Sequence, residues 1–330
     1  MEEMPRLVAA QIDIDIHNDA AYAPWAEPHC ALGEGPFYEA ETDSLRLVDI
    51  KKKQILYFRN VSAPENKTAA AAPPEVVQLD VCPTVTADVH GLDPRDRIVV
   101  GVKHGLAILD VRGGRGQYEM LVPFHEPPNE RLRANDGCAD PLGRFLLGTM
   151  TDFGLGSFQP EGGLFLLTRE SAQEIIPGLT IPNGVGWSPD LRTMYVTHST
   201  ERALLAFDYD ASTGAMSGDA GGSSGRLHRR HTGPAEPDGL RVDADGHVWQ
   251  ALYGEGAVLR VDGRSGAVLG RVTIPTKNAT CVQFVGEDLF ITTAADEDGG
   301  TAETESRRLG GAIFRVHVGV GGMEPFKFRL

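Results

Sequence analysis

The chain has 330 residues, of which 41% are hydrophobic, and its 46 acidic against 31 basic side chains give a formal charge of −15. That balance argues against a nucleic-acid binder, which needs a basic face to displace counterions. No apolar run approaches the roughly 20 residues of a membrane span. The start, Met1 to Arg6, is acidic and lacks the apolar stretch of a secretory leader. The four cysteines, Cys30, Cys82, Cys138 and Cys281, are far apart and form no C-x-x-C pair, which reads as a cytoplasmic chain with reduced thiols. The sequons at Asn60, Asn66 and Asn278 are then chance matches. Length alone suggests about two domains, but large all-β folds run past about 200 residues as one unit.

In chain order, Leu7 to Ile14 reads as a first strand. Paired strand segments follow turn signals at intervals of roughly 40–55 residues, the scale of a propeller blade. The first members are Leu45 to Ile50, Arg97 to Val102, Arg144 to Thr149, Thr193 to Thr197, His247 to Leu252 and Asp288 to Thr293. Their partners are Gln54 to Phe58, Leu106 to Asp110, Gly163 to Leu167, Ala203 to Asp208, Ala257 to Asp262 and, after a longer loop, Gly311 to Val316. Turns such as Asp140-Pro141-Leu142-Gly143 and Asp243-Ala244-Asp245-Gly246 supply the fixed and positive φ that tight reversals need. Ser62 to Pro74, Ser212 to Gly225 and the acidic Ala294 to Arg308 read as loops between strands, as does the His228-Arg229-Arg230-His231 cluster. His104 and His198 read as packing or hydrogen-bonding residues, and Trp187 and Trp249 as core. No segment sustains a helical period.

The expected fold is therefore an all-β six-bladed propeller of four-stranded blades, spanning 1–330 as a single domain. Residues 1–30 serve as its closing strand and lead-in. A β-sandwich is the structural rival, but it needs no repeat at blade length.

A second pattern emerges when the units are aligned on their turns. A small polar or acidic residue stands five positions before each marker: Glu34 before Glu39, Asn135 before Asp140, Asn183 before Ser188 and Asp238 before Asp243. Glycine follows at Gly35, Gly184 and Gly239, and after one further residue at Gly137. Taken singly, these are ordinary turn dipeptides. In a ring, equivalent positions lie at one height around the axis, so the four side chains converge. Two carboxylates and two amides make a hard oxygen set suited to Ca²⁺, Mg²⁺ or Mn²⁺, with Zn²⁺ possible, and Ca²⁺ favoured. The glycines are expected to let the backbone turn sharply. No G-x-S-x-G elbow, Walker loop or H-E-x-x-H motif is present.

The carriers Leu32-Gly33-Glu34-Gly35-Pro36, Arg133-Ala134-Asn135-Asp136-Gly137, Gly148-Thr149-Met150, Ile181-Pro182-Asn183-Gly184 and Pro237-Asp238-Gly239 together resemble the senescence-marker-protein/gluconolactonase family. That family includes regucalcin and relatives of the luciferin-regenerating enzyme. The likeness runs from about Glu34 to Val318. It implies a six-bladed propeller with one divalent cation held by Glu34, Asn183 and Asp238. It also implies a substrate site at Arg133 and Asn135, with Asp136 beside them. Where regucalcin places a Glu after the Gly-Thr-Met motif, this chain has Thr151 and Asp152; many members have Asp at the position of His198. The activity so implied is hydrolysis of small lactones, aldonolactones foremost. Asp238 would orient or deprotonate the attacking water as well as hold the metal. The alternatives are a metal-dependent esterase or organophosphate hydrolase on the same propeller, and a non-enzymatic calcium-binding propeller. The expected partner is a small lactone, with no nucleic acid and no membrane, for a monomer or small homo-oligomer.

Overall fold

A computed structural model describes residues 23–63, 71–112, 116–218, 225–297 and 304–330. Blade 1 comprises β1 (Gly33–Glu39), β2 (Ser44–Asp49), β3 (Gln54–Arg59) and β4 (Glu75–Gln78); blade 2 comprises β5 (Thr86–Asp88), β6 (Arg97–Val102), β7 (Gly105–Asp110) and β8 (Gln117–Pro123). Blade 3 follows with β9 (Leu132–Ala139), β10 (Phe145–Thr151), β11 (Gly162–Leu167) and β12 (Ala172–Leu179). Blade 4 holds β13 (Pro182–Trp187), β14 (Thr193–His198), β15 (Ala203–Asp210), β16 (Ala215–Ser217) and β17 (Arg226–Arg230). Blade 5 holds β18 (Glu236–Val242), β19 (Val248–Tyr253), β20 (Ala257–Val261) and β21 (Val268–Thr273); blade 6 holds β22 (Ala279–Val285), β23 (Asp288–Thr293) and β24 (Phe314–His317). The innermost strands pack in the order β1, β5, β9, β13, β18, β22 and back to β1, which makes the six-bladed propeller ring.

Period-two side-chain alternation lets one strand serve two neighbours. Leu45 and Leu47 of β2 pack with Phe290 and Ile313 of blade 6, while Val48 packs with Ile98 and Val100 of blade 2. The same division is repeated between every pair of adjacent blades. The second strands are thus buried on both faces, and their near-continuous apolar runs follow from that. The turn markers act as bolts. The Asp243 carboxylate accepts from His247 N at 2.9 Å, Trp249 Nε1 at 2.8 Å and Arg260 Nε at 2.9 Å. Asp140 accepts from Leu142 N at 3.0 Å and Arg144 N at 2.8 Å.

Four-stranded blades hold for four of the six. In blade 4 the outer position is split, β16 pairing with Asp208–Asp210 of β15 and β17 with Ala203–Ala206. Blade 6 has three strands, and its outer edge is completed by Trp25 and Ala26: Ile313 N donates to Ala26 O at 2.8 Å and Trp25 N to Ile313 O at 2.8 Å. The expected closing strand Leu7 to Ile14 lies outside the described residues. Three loop expectations are corrected, the first being Ser212 to Gly225, which contains strand β16 (Ala215–Ser217). Arg226–Arg230 is strand β17, not loop; His228 contacts Asp262 O at 3.0 Å and His231 contacts Glu255 Oε1 at 2.9 Å, so both rings are held by protein groups. Within the acidic stretch, a one-turn helix α1 (Glu305–Leu309) forms because Thr304 caps Arg307 N at 3.2 Å. Trp187 and Trp249 are core as expected.

The C-terminal residues cross the end of the channel where the inner strands finish. Met323 N donates to Val242 O at 3.0 Å, Phe328 N to Asp88 O at 2.8 Å and Arg329 N to Gly143 O at 2.7 Å. Among the described residues no helix is long and apolar enough to cross a membrane.

Candidate active site

Glu34, Asn135, Asn183 and Asp238 lie near the beginnings of β1, β9, β13 and β18, at one end of the channel. Pairing with the second strand breaks register at each: between Glu34 and Phe37, Ala134 and Gly137, Pro182 and Val185, and Pro237 and Leu240. A bulge re-aims side chains and ends ladder pairing. The repeated break frees these residues from the pleat that governs the rest of each strand.

The glycines beside them serve two different needs. Gly35 adopts φ +52°, and its N–H donates to Glu34 Oε2 at 2.9 Å, so it turns the chain as expected. Gly184 and Gly239 have no positive φ; they supply room between blades instead. A Cβ on Gly184 would lie 2.4 Å from Leu240 N, and one on Gly239 2.3 Å from Cys281 Sγ.

Glu34, Arg133, Asn135, Asn183 and Asp238 line one cavity of about 230 Å³, open at the channel mouth. Asp136 is not in its wall. It is buried beside it, with Oδ1 accepting from Gly137 N at 2.7 Å. Burial, and then the Asp136 charge, push the Glu34 carboxyl up to about 8. Burial, followed by the Glu34 and Asp136 charges, pushes Asp238 well above the usual carboxylate range. Asp136 is raised by burial. Asp238 Oδ1, Asn183 Oδ1 and Asp136 Oδ2 are buried with no hydrogen-bond partner. Arg133 is also buried, which lowers its guanidinium to about 10. It donates to Asn135 Oδ1 at 3.1 Å and to Ala134 O at 2.7 Å, while Asn135 Nδ2 donates to Pro182 O at 2.9 Å.

Desolvated carboxylates held together, with oxygens that nothing donates to, are the environment a hard cation relieves. Among the described residues no group of three or more His, Cys, Asp or Glu side chains is placed to hold a metal ion. A three-point oxygen set on this wall needs the Asn183 amide.

Several residues of the site were not singled out in the sequence. Ser199, just past β14, accepts from Asn183 Nδ2 at 3.2 Å through Oγ and lines the cavity. Phe153 lies under Arg133, its ring centre 4.1 Å from the guanidinium carbon, and with Phe158 and Lys51 it forms part of the lining. Asp152 turns to Lys103 at 2.9 Å and Thr151 Oγ1 donates to Glu161 at 2.8 Å, so neither lines the cavity. His198 Nε2 accepts from Thr180 N at 3.1 Å, a hydrogen-bonding role as expected.

The family described as SMP-30/Gluconolactonase/LRE-like region matches residues 32–295. Pentonolactonase XacC of Haloferax volcanii is 32% identical over 311 residues, covering 90% of this chain and 94% of that protein. Regucalcin of Bos taurus is 27% identical, covering 91% and 95%. The structure of a luciferin-regenerating enzyme superposes with a TM-score of 0.78 at 29% identity, covering 92% of this chain and 96% of that one. A regucalcin from Agrobacterium tumefaciens described as a calcium-binding protein shares the fold, with a TM-score of 0.79 at 24% identity over 94% and 98% of the two chains. The chain belongs to the SMP-30/gluconolactonase/LRE-like family.

Proposed function

We propose that this chain is a lactonase that opens small aldonolactones with one divalent cation held by Glu34, Asn183 and Asp238. The observation that carries the reading is the pair of unpartnered buried oxygens, Asn183 Oδ1 and Asp238 Oδ1, on the same cavity wall as the desolvated Glu34 carboxylate. The pentonolactonase likeness supports the substrate class, and the calcium-binding description of a relative with this fold is in keeping with a hard ion. A bound cation polarises the lactone carbonyl and offsets the charge that grows on its oxygen.

The protein's own groups do the rest. Asp238 takes the proton from the attacking water, and that proton passes to the ring oxygen as the C–O bond breaks, giving the hydroxy acid. Arg133, whose Nε lacks a partner, donates to hydroxyl or carboxylate oxygens of the substrate. Asn135, fixed between Arg133 and Pro182 O, orients that guanidinium and reaches the same oxygens. Asp136 acts from behind the wall through its charge. Phe153 and Phe158 exclude water on the side of Arg133.

The test is Asp238→Ala, with metal content and aldonolactone hydrolysis followed by pH-stat, and a phosphotriester run in parallel. Loss of both metal and lactone turnover is expected. Activity within a few-fold of wild type would sink the mechanism. Faster turnover of the phosphotriester than of any lactone by the wild type would move the assignment to an organophosphate hydrolase.

A further inference from the structure

Below the cavity, Arg241 of β18 reaches across the channel and ties three inner strands. Its Nε donates to Gln283 Oε1 of β22 at 2.8 Å, one terminal nitrogen to Leu240 O at 2.7 Å and the other to Pro36 O of β1 at 2.9 Å. All three acceptors are neutral. Among the described residues no carboxylate lies within ion-pair distance of it. A guanidinium so deep in a protein is costly unless its charge is balanced. The balance comes through space from Asp136 and Glu34, the carboxylates whose fields act on it. On its other side Arg241 borders a small, mainly apolar cavity of about 60 Å³ that is lined also by the C-terminal residues Met323 to Phe326.

The charges in this stretch are few. When ionised, Glu34, Asp136 and Asp238 bring three negative charges and Arg133 and Arg241 two positive ones, while Glu236 and Lys51 at the cavity wall offset each other. The ionised set is one charge short of neutral with Arg241, and two short without it. A divalent ion overshoots neutrality in the first case and meets it in the second.

Resting on the cation reading above, we propose that Arg241 is an internal counter-cation of the channel carboxylates that weakens divalent-ion binding at the mouth and so keeps the ion exchangeable. It touches neither ion nor substrate; it acts through the charge of Glu34 and Asp136. A merely structural role, pinning β1, β18 and β22 together, predicts the opposite sign, because loosening the ring spreads the donors and weakens binding.

The experiment is calorimetric titration of chelated protein with Ca²⁺ at about pH 9, where protons compete least for carboxylates. Arg241→Met is expected to bind Ca²⁺ about tenfold tighter or more, since a unit charge in a low-dielectric channel acts over several ångströms. Arg241→Lys is expected to stay within about threefold of wild type. Asp136→Asn, which removes a charge of opposite sign from the same stretch, is expected to weaken Ca²⁺ by a comparable factor. That variant keeps the proposal testable if Arg241→Met does not fold. Unchanged or weaker binding in a folded Arg241→Met, or unchanged binding in Asp136→Asn, overturns the proposal while the cation reading stands. A wild-type protein that binds none of Ca²⁺, Mg²⁺, Mn²⁺ and Zn²⁺ overturns both.

Discussion

Ser199→Ala isolates the orientation of one amide. Asn183 can present either its oxygen or its nitrogen to the cavity. Ser199 Oγ, buried and 3.2 Å from Asn183 Nδ2, accepts the nitrogen's hydrogen and leaves Oδ1 buried without a partner. Removing the hydroxyl deletes one neutral hydrogen bond of about 1 kcal/mol. That bond, together with the hydrogen bond the same amide offers Asp238, separates the two amide rotamers. A flipped amide would aim N–H at the cation, so the competent fraction falls from about 0.85 toward about one half and the apparent dissociation constant for Ca²⁺ should rise by about 1.7-fold at most. The turnover number at saturating Ca²⁺ should change little, because Asp238 and Arg133 are not touched. Ser199→Thr keeps the acceptor and should restore affinity where the added methyl fits. Calorimetry of chelated protein and lactone kinetics across a Ca²⁺ series would read both quantities. A folded Ser199→Ala with wild-type affinity, or one whose turnover collapses at saturating Ca²⁺, would refute this account of how Asn183 is aimed.

Gly239→Ala should separate blades 5 and 6 beside Asp238, since its Cβ would come within 2.3 Å of Cys281 Sγ and 2.9 Å of Thr280 O. A loss of about 1–3 kcal/mol in urea unfolding and a drop of more than about tenfold in kcat/KM are expected. Phe328→Ala empties a fully buried position that packs against Phe145 at 6.4 Å between ring centres. It should cost about 3–5 kcal/mol yet leave kcat of the folded fraction intact, because the tail lies at the far end of the channel. Of the four free cysteines, Cys82 and Cys138 are partly exposed while Cys30 and Cys281 are buried; burial raises the Cys82 thiol and pushes that of Cys30 up to about 12. Cys138 and Cys281 are raised by burial as well. A disulfide reagent at about pH 8 should therefore titrate Cys82 in the native protein and all the thiols only on unfolding; rapid native labelling of Cys281 would contradict the closed channel.

What the sequence disclosed follows from burial. Strands such as β6 (RIVVGV) and β10 (FLLGTMT) are buried along nearly their whole length, so packing on both faces writes a largely apolar run. The inner strands carry a different signal. PNGVGW and EPDGLRV are short and mixed in composition, and they become visible through their shared distance from the turn. That distance has a structural cause: five residues carry each inner strand from the bulge at the mouth to the bolted reversal at the other end. The register breaks themselves leave no mark in composition, because a bulge is a relation between two strands. Ser199 and Phe153 escaped for a similar reason. Each is defined by a partner from another stretch of chain, Asn183 and Arg133, and neither has a motif of its own. The split outer edge of blade 4 resembles loop in sequence because β17 is mostly polar and lies at the rim, where nothing enforces alternation.

The arrangement also explains why four blades and not six bear site residues. In blade 6 the register break spans Thr280, the counterpart of Asp238. Its hydroxyl donates to Gly33 O at 2.6 Å and lies 2.9 Å from Thr292 Oγ1, so it is spent on joining β22 to β1. Ahead of β5 in blade 2, Thr84 turns its hydroxyl to Gly101 O. Blades 4, 5 and 1 therefore present Asn183, Asp238 and Glu34 along one arc, with the neutral Thr280 within it, while blade 3 presents Arg133 from across the channel. A symmetric ring of six acids would repel itself and face any substrate alike from all sides. Broken in this way, the ring has an oxygen-rich arc on one side and a guanidinium on the other. A lactone carbonyl and its hydroxyls can be told apart only by such a difference, so the departures from the repeat, more than the repeat itself, give the cavity a direction.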